Sequence, residues 1–185
     1  MITNAEQIRT GACLCKKVTF RVEGEELNFA ICHCTNCRRN CGATYTANAW
    51  FLDTVPFLSS LEALTLTRPK RFEWTTGGDL LKQYNDRDTE TGEVVHRWFC
   101  TNCGSPMLTK SPRMPGITII PSGVFDGHHN WKPSYEQWRQ SKVCFVEPIR
   151  AVKDESRYDQ HPDLKEFEDI WGKSGTRPAQ EFVDR

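Results

Sequence analysis

Short stretches in which apolar and polar residues alternate recur along the chain. KVTFRV, ending at Val22, places Val18, Phe20 and Val22 on one side and polar residues on the other. That period of two is the signature of a half-buried strand. EALTLT (Glu62 to Thr67) repeats it with Leu64 and Leu66, and RFEWTT, VVHRWF and GITII add runs rich in β-branched and aromatic residues. Turn signals separate the runs: Gly77-Gly78, Pro115-Gly116 and the segment from Pro121 to Gly123. The polar stretch from Asn85 to Glu93 reads as a hairpin loop. A helical period appears near the C-terminus, where Leu164, Phe167, Ile170 and Trp171 share a face. Asp163 and Glu166 form a capping-box pattern before it, and Gly172 can end it. The pattern predicts a mainly β domain over residues 8–150 and a C-terminal extension, 151–185, carrying one short helix.

Composition narrows the setting. At 185 residues the chain is long enough for one domain with a sizeable core. Lysine and arginine number 24 and so do the acids, so no basic stripe for nucleic acid is expected. The opening MITNAEQIRT has no apolar segment of the signal-peptide kind. No run of about 18 apolar residues is present either, so no membrane association is expected. A cytoplasmic location follows as the expectation. Nine cysteines are then too many to ignore, because in a reducing compartment clustered cysteines more often bind metal than pair as disulfides.

Eight of the nine fall in clusters. Cys100 and Cys103, in FCTNCG, have the spacing of a zinc knuckle, with a glycine after the second thiolate to let the turn close. A knuckle supplies two ligands where a structural zinc takes four, and Cys13 and Cys15 are the natural second half. Such a site would join segments far apart in sequence and stabilise the fold directly. The second cluster, ICHCTNCRRNCG, contains Cys32, Cys34 and Cys37, close enough to hold one ion, with Cys41 four residues on. Three protein ligands with an exchangeable fourth is how catalytic zinc sites are built; a fourth cysteine would make the site closed and structural, and the spacing also resembles iron–sulfur patterns. Spacing alone leaves these alternatives open.

The order of these motifs resembles a known family. Gly11-x-Cys13-x-Cys15, Val18-x-Phe20, Cys32-His33-Cys34-x-x-Cys37-Arg38, Gly42 and Phe99-Cys100-x-x-Cys103-Gly104-Ser105 together are similar to the glutathione-dependent formaldehyde-activating enzymes, also called the CENP-V/GFA domain. Lys132-Pro133 to Trp138, then Ser141-Lys142, fit its later pattern more loosely. The resemblance spans roughly residues 8–150 and implies a β-tent (zinc-ribbon-like) fold with two zinc ions per chain. It implies a structural site at Cys13, Cys15, Cys100 and Cys103, and an open, catalytic-type site at Cys32, Cys34 and Cys37, with Cys41 outside the ligand set. It also implies a small-molecule thiol or thiol adduct as partner, with glutathione as co-substrate. Lys16 departs from the pattern, since a glycine often follows the first C-x-C.

The ligand type argues for one chemistry. Three thiolates give a zinc site a net charge of about −1, a poor generator of hydroxide but a good acceptor of a fourth, soft thiolate. A carbon–sulfur lyase or synthase step on a thiol adduct is therefore the expected activity, with Cys32, Cys34 and Cys37 at its centre. Arg38 either offsets the thiolates, binds a carboxylate of the co-substrate, or is simply solvated. His33, between two ligands, is expected to play a supporting role, and Ser105 to hydrogen-bond locally. Tyr45, Trp50, Phe51, Phe125 and Trp138 are either core or pocket wall. Cys144 reads as a buried strand cysteine, and His128 and His129 as a polar loop. The competing reading is a non-catalytic, zinc-stabilised binding module.

Overall fold

The computed structural model describes residues 7–53, 71–147 and 149. Ten strands and one short helix follow in the order β1 (Ile8–Ala12), β2 (Thr19–Glu23), β3 (Asn28–Cys32), α1 (Thr35–Cys41), β4 (Thr46–Leu52), β5 (Phe72–Thr76), β6 (Leu81–Asp86), β7 (Val95–Cys100), β8 (Pro106–Lys110), β9 (Ile117–Pro121) and β10 (Tyr135–Gln137). The fold is mainly β, as the alternating pattern predicts. EALTLT, the helix from Asp163 and the extension 151–185 lie outside the described residues.

The strands form two sheets. The smaller has the order β1-β2-β5, and the larger the order β10-β3-β4-β9-β8-β7-β6. All pairs are antiparallel except β10 with β3. Val18, Phe20 and Val22, the alternating set of the first run, are all fully buried between the sheets. They meet Phe29, Ala49, Phe51, Met107, Leu108 and Ile120 of the larger sheet. Phe20 is the hub, with ring centroids 5.5 Å from Phe72, 6.2 Å from Trp74 and 5.3 Å from Phe125. Each such side chain contributes roughly 1.5–3 kcal/mol of burial, and the edge-on aromatic contacts add to that.

Because side chains alternate along a strand, the other face of the larger sheet carries a different set. Ala30, Trp50, Ile117 and Ile119 form a second apolar cluster with Met114 and Tyr135. Cross-strand register then builds a row over this face: Arg97 lies opposite Thr109, Thr109 opposite Ile119, and Ile119 opposite Trp50. The row becomes the floor of the cavity described below.

One sequence expectation is corrected here. Cys144 is exposed rather than buried in a strand, and its neighbour Phe145 is 73% exposed. The segment closes on itself in a turn, with the Val146 N–H donating to the Val143 carbonyl at 3.1 Å. A chain folded back on itself this way cannot present its N–H and C=O groups to a ladder.

Candidate metal centres and an adjoining cavity

Cys13 and Cys15 sit on the turn that joins β1 to β2, Cys100 ends β7, and Cys103 sits on the turn that joins β7 to β8. The four sulfurs lie within 4.8 Å of one another. Cys13 and Cys15 are 3.4 Å apart at sulfur, and Cys15 and Cys100 3.9 Å. The first turn is closed by the Lys16 N–H to the Cys13 carbonyl at 2.8 Å and the Cys13 N–H to the Val18 carbonyl at 3.0 Å. Lys16 takes the left-handed conformation, φ 61°, that a glycine would adopt freely. In the second turn Gly104 supplies that conformation, φ 74°, and donates its N–H to the Cys100 carbonyl at 2.8 Å. Ser105 ties the halves together: its hydroxyl accepts from the Leu14 N–H at 3.0 Å and sits 3.3 Å from the Cys103 sulfur. That hydroxyl, followed by backbone N–H groups, lowers Cys103 to about 5, whereas burial pushes Cys100 up to about 11. Four soft sulfurs clustered between two separate turns fit a closed tetrahedral metal site.

The second cluster is built from one continuous segment. Cys32 ends β3, Cys34 caps α1, and Cys37 lies in the first turn of α1. The Cys34 sulfur accepts the Cys37 N–H at 3.3 Å, the bond an N-cap side chain makes. Gly42, φ 63°, ends the helix by donating to the Arg38 carbonyl. These three sulfurs also lie within 4.8 Å of one another, and no fourth His, Cys, Asp or Glu among the described residues joins them. Cys41 is turned away. Its thiol is 3.0 Å from the Thr46 hydroxyl and reaches the carbonyls of Tyr45 at 3.5 Å and Arg38 at 3.6 Å.

Hydrogen bonds from Cys32 and then Cys37 hold Cys34 as the thiolate, down at about 3. Cys32 is raised, first by its bond to Cys34. Cys37 is favoured as a thiolate by its bond to Cys32, but the Cys34 bond, burial and the Cys34 charge outweigh this and push it up to about 12.

The three sulfurs sit in the wall of a cavity of about 110 Å³. Its floor is the alternating set of the larger sheet: Thr46, Asn48 and Trp50 of β4, Ile119 of β9, Thr109 of β8 and Arg97 of β7. Arg97 is buried, donates to Asp86 Oδ2 from Nε and a terminal nitrogen at 2.8 Å, and hydrogen-bonds Cys37. Asp86 in turn accepts the Asn36 side-chain N–H at 2.9 Å, which anchors α1 to the β6–β7 hairpin. Glu90, on the loop of that hairpin, caps the helix by accepting the Thr35 N–H at 3.3 Å.

The other sequence candidates divide. Trp50 and Trp138 line the cavity. Phe51 and Phe125 pack in the core between the sheets, and Tyr45 packs edge-on against His33 at 5.7 Å. Arg38 does not line the cavity; its guanidinium donates to the Ser141 carbonyl at 2.6 Å. His33 is fully buried, hydrogen-bonds Glu136 Oε1 at 2.7 Å, and so braces β3 against β10, while Lys142 approaches the same oxygen at 3.2 Å. His129 stacks on Trp131 at 4.0 Å, and neither His128 nor His129 joins a metal-type cluster among the described residues. Sequence reasoning missed Arg97 and Asp86. The available signal was a charged residue at an inward position of an alternating strand, Val95-x-Arg97, with an acid across the hairpin.

Comparison with known proteins adds one specific match. The profile of a family described as glutathione-dependent formaldehyde-activating enzyme matches residues 8–56 and 57–141. No curated protein matches the chain. A crystal structure of a Rhodobacter sphaeroides protein, solved by structural genomics, is similar at 23% identity, with a TM-score of 0.45 over 65% of this chain and 91% of that one. Among the described residues no helix is long and apolar enough to cross a membrane.

Proposed function

Since the chain belongs to the glutathione-dependent formaldehyde-activating enzyme family, we propose that it is a zinc-dependent carbon–sulfur lyase or synthase acting on a glutathione-type thiol adduct. The observation that carries this reading is the three-sulfur cluster in a cavity wall, with Cys41 bonded elsewhere. A zinc ion there would hold a fourth, incoming sulfur deprotonated at neutral pH. In the reading, Cys32, Cys34 and Cys37 are the ligands of that ion, and Cys13, Cys15, Cys100 and Cys103 hold a second, structural one. The chain's own residues do the rest. Cys34 as N-cap and Cys37 on the same turn fix two of the ligand directions before any metal arrives. Arg97, held by Asp86, sets a positive charge against the thiolates and keeps that wall of the cavity polar. Trp50 and Ile119 add apolar surface to a floor otherwise lined by Thr46, Asn48, Thr109 and Arg97.

In the synthetic direction the thiolate lone pair forms the C–S bond to the aldehyde carbon, and the carbonyl oxygen takes up a proton to give a hydroxymethyl thioether. Cleavage is the same step reversed. A cytoplasmic setting, whose thiol pool keeps all nine cysteines free, belongs to this reading. The test is the rate of exchange between glutathione plus formaldehyde and S-(hydroxymethyl)glutathione, followed by NMR. The metal-loaded protein should accelerate it, and Cys34→Ser, retaining the other metal, should not. Undiminished acceleration by that variant would sink the proposal.

A further inference from the structure

Two polar atoms in the cavity wall are buried without a partner. Gln137 is 7% exposed, and its side-chain Oε1 has no hydrogen bond. Arg113, on the turn between β8 and β9, has a buried Nε with no acceptor, and its guanidinium forms no ion pair among the described residues. Both residues line the same cavity as the three sulfurs. A buried polar group left unpaired costs about 1–3 kcal/mol, more when charged. Such groups persist where a ligand or water completes them.

Position makes the pair informative. Gln137 is the register partner of Cys32 in the parallel β10–β3 pair, so its side chain lies beside that of a sulfur ligand. The β10 strand is held there by the buried His33–Glu136 contact and by the His33 N–H to the Gln137 carbonyl at 3.1 Å. Arg113 comes from a separate segment of the lining, on a turn closed by the Met114 N–H to the Ser111 carbonyl at 2.9 Å. The two residues ask for complementary things. Gln137 Oε1 accepts only, so it needs a donor such as an N–H. Arg113 donates only, and its fork suits a carboxylate.

We propose that Arg113 and Gln137 form the subsite that reads the non-sulfur end of the substrate, Arg113 taking a carboxylate and Gln137 an amide or ammonium N–H. The site thereby selects amino-acid-derived thiols over simple mercaptans. This rests on the reading that the three-cysteine centre binds a thiol, and it adds which residues decide which thiol. It also assigns the carboxylate contact to Arg113 in place of Arg38, which is bonded to Ser141.

The experiment uses the full chain loaded with cobalt, whose sulfur-to-metal absorption reports a new thiolate ligand. Glutathione and 2-mercaptoethanol are titrated into the wild type, Arg113→Gln and Gln137→Leu, and S-methylglutathione, whose sulfur is blocked, is titrated by calorimetry. Arg113→Gln should weaken glutathione by roughly tenfold or more, the loss of a charge-assisted hydrogen bond, and leave mercaptoethanol unchanged. Gln137→Leu should act in the same sense and more weakly. Equal weakening of both thiols, or no effect on either, overturns the subsite while the thiol-binding centre stands. If neither thiol alters the cobalt spectrum but S-methylglutathione still binds in an Arg113-dependent way, the centre is misread and the subsite survives. If S-methylglutathione also fails to bind, both fall.

Discussion

Arg97→Met removes the buried cation that joins the cavity to the fold. Arg97 and Asp86 have side chains 9% and 8% exposed, and the guanidinium reaches Asp86 Oδ2 at 2.8 Å from two of its nitrogens. Methionine keeps much of the volume and none of the charge. Among the described residues, Asp86 then keeps the Asn36 side chain as its hydrogen-bond partner, at 2.9 Å from each oxygen. Breaking a buried pair by removing one partner costs about 3–5 kcal/mol, because the remaining charge stays desolvated. The Asn36 bonds offset part of that, so a loss of about 3 kcal/mol is expected. Urea unfolding of the protein at pH 7 and a fixed free metal concentration measures it, since bound metal would otherwise shift the midpoint by mass action. The control is the double variant Arg97→Met, Asp86→Asn, which removes the orphaned charge and keeps an acceptor for Asn36. It should recover at least 1 kcal/mol of the loss. If Arg97→Met costs under about 1 kcal/mol, or if the double variant loses the sum of the two single changes, the pair is not a buried anchor.

Four further outcomes follow from the geometry. Cys41→Ser should retain two metals per chain by native mass spectrometry and Cys37→Ser one, because the Cys41 thiol is committed to Thr46, Tyr45 and Arg38. Cys100→Ser should lower the thermal midpoint far more than Cys34→Ser, since the first site bridges turns 85 residues apart while the second lies within one segment. Lys16→Gly should stabilise by about 0.5–1 kcal/mol in chemical denaturation, trading left-handed strain at φ 61° against glycine's added chain entropy. Metal uptake at the three-cysteine centre should release about two protons at pH 7, because Cys34 is already ionised while Cys37 and Cys32 are raised. Affinity there should therefore rise with pH, by about a hundredfold per unit between pH 6 and 8, in competition with a chelator.

The β character and both sulfur clusters were legible because each rests on a local rule. Val18, Phe20 and Val22 alternate and are buried as a set. Cys100-x-x-Cys103-Gly104 needs a left-handed residue after its second ligand and has one. Cys41 was not legible from spacing, since whether a thiol four residues along turns inward depends on Thr46 and Tyr45 offering it partners. The cavity was hidden for the same reason. Arg97, Thr109, Ile119 and Trp50 come from four strands, and only the sheet order and register bring them into one row. Arg38 drew attention by standing next to a ligand, yet helical rotation carries it round to Ser141, whereas Arg97 reaches Cys37 from 60 positions away.

The two centres use the same ligand atom and are built to opposite ends. Cys13, Cys15, Cys100 and Cys103 come from two segments about 85 residues apart that otherwise meet through a few contacts such as Leu14 with Ser105, so a metal closing that site would stabilise the fold directly. Its fourth sulfur leaves nothing to exchange. Cys32, Cys34 and Cys37 come from one strand end and one helical turn, which the β3–β4 and β3–β10 pairings and the Gly42 cap hold in place without any metal. A metal held there would add little to the fold, and the three sulfurs line the cavity. A three-sulfur cluster that lacks a fourth ligand from the described residues, and that shares its cavity with the unpaired Arg113 Nε and Gln137 Oε1, offers what a ligand from outside the chain would need.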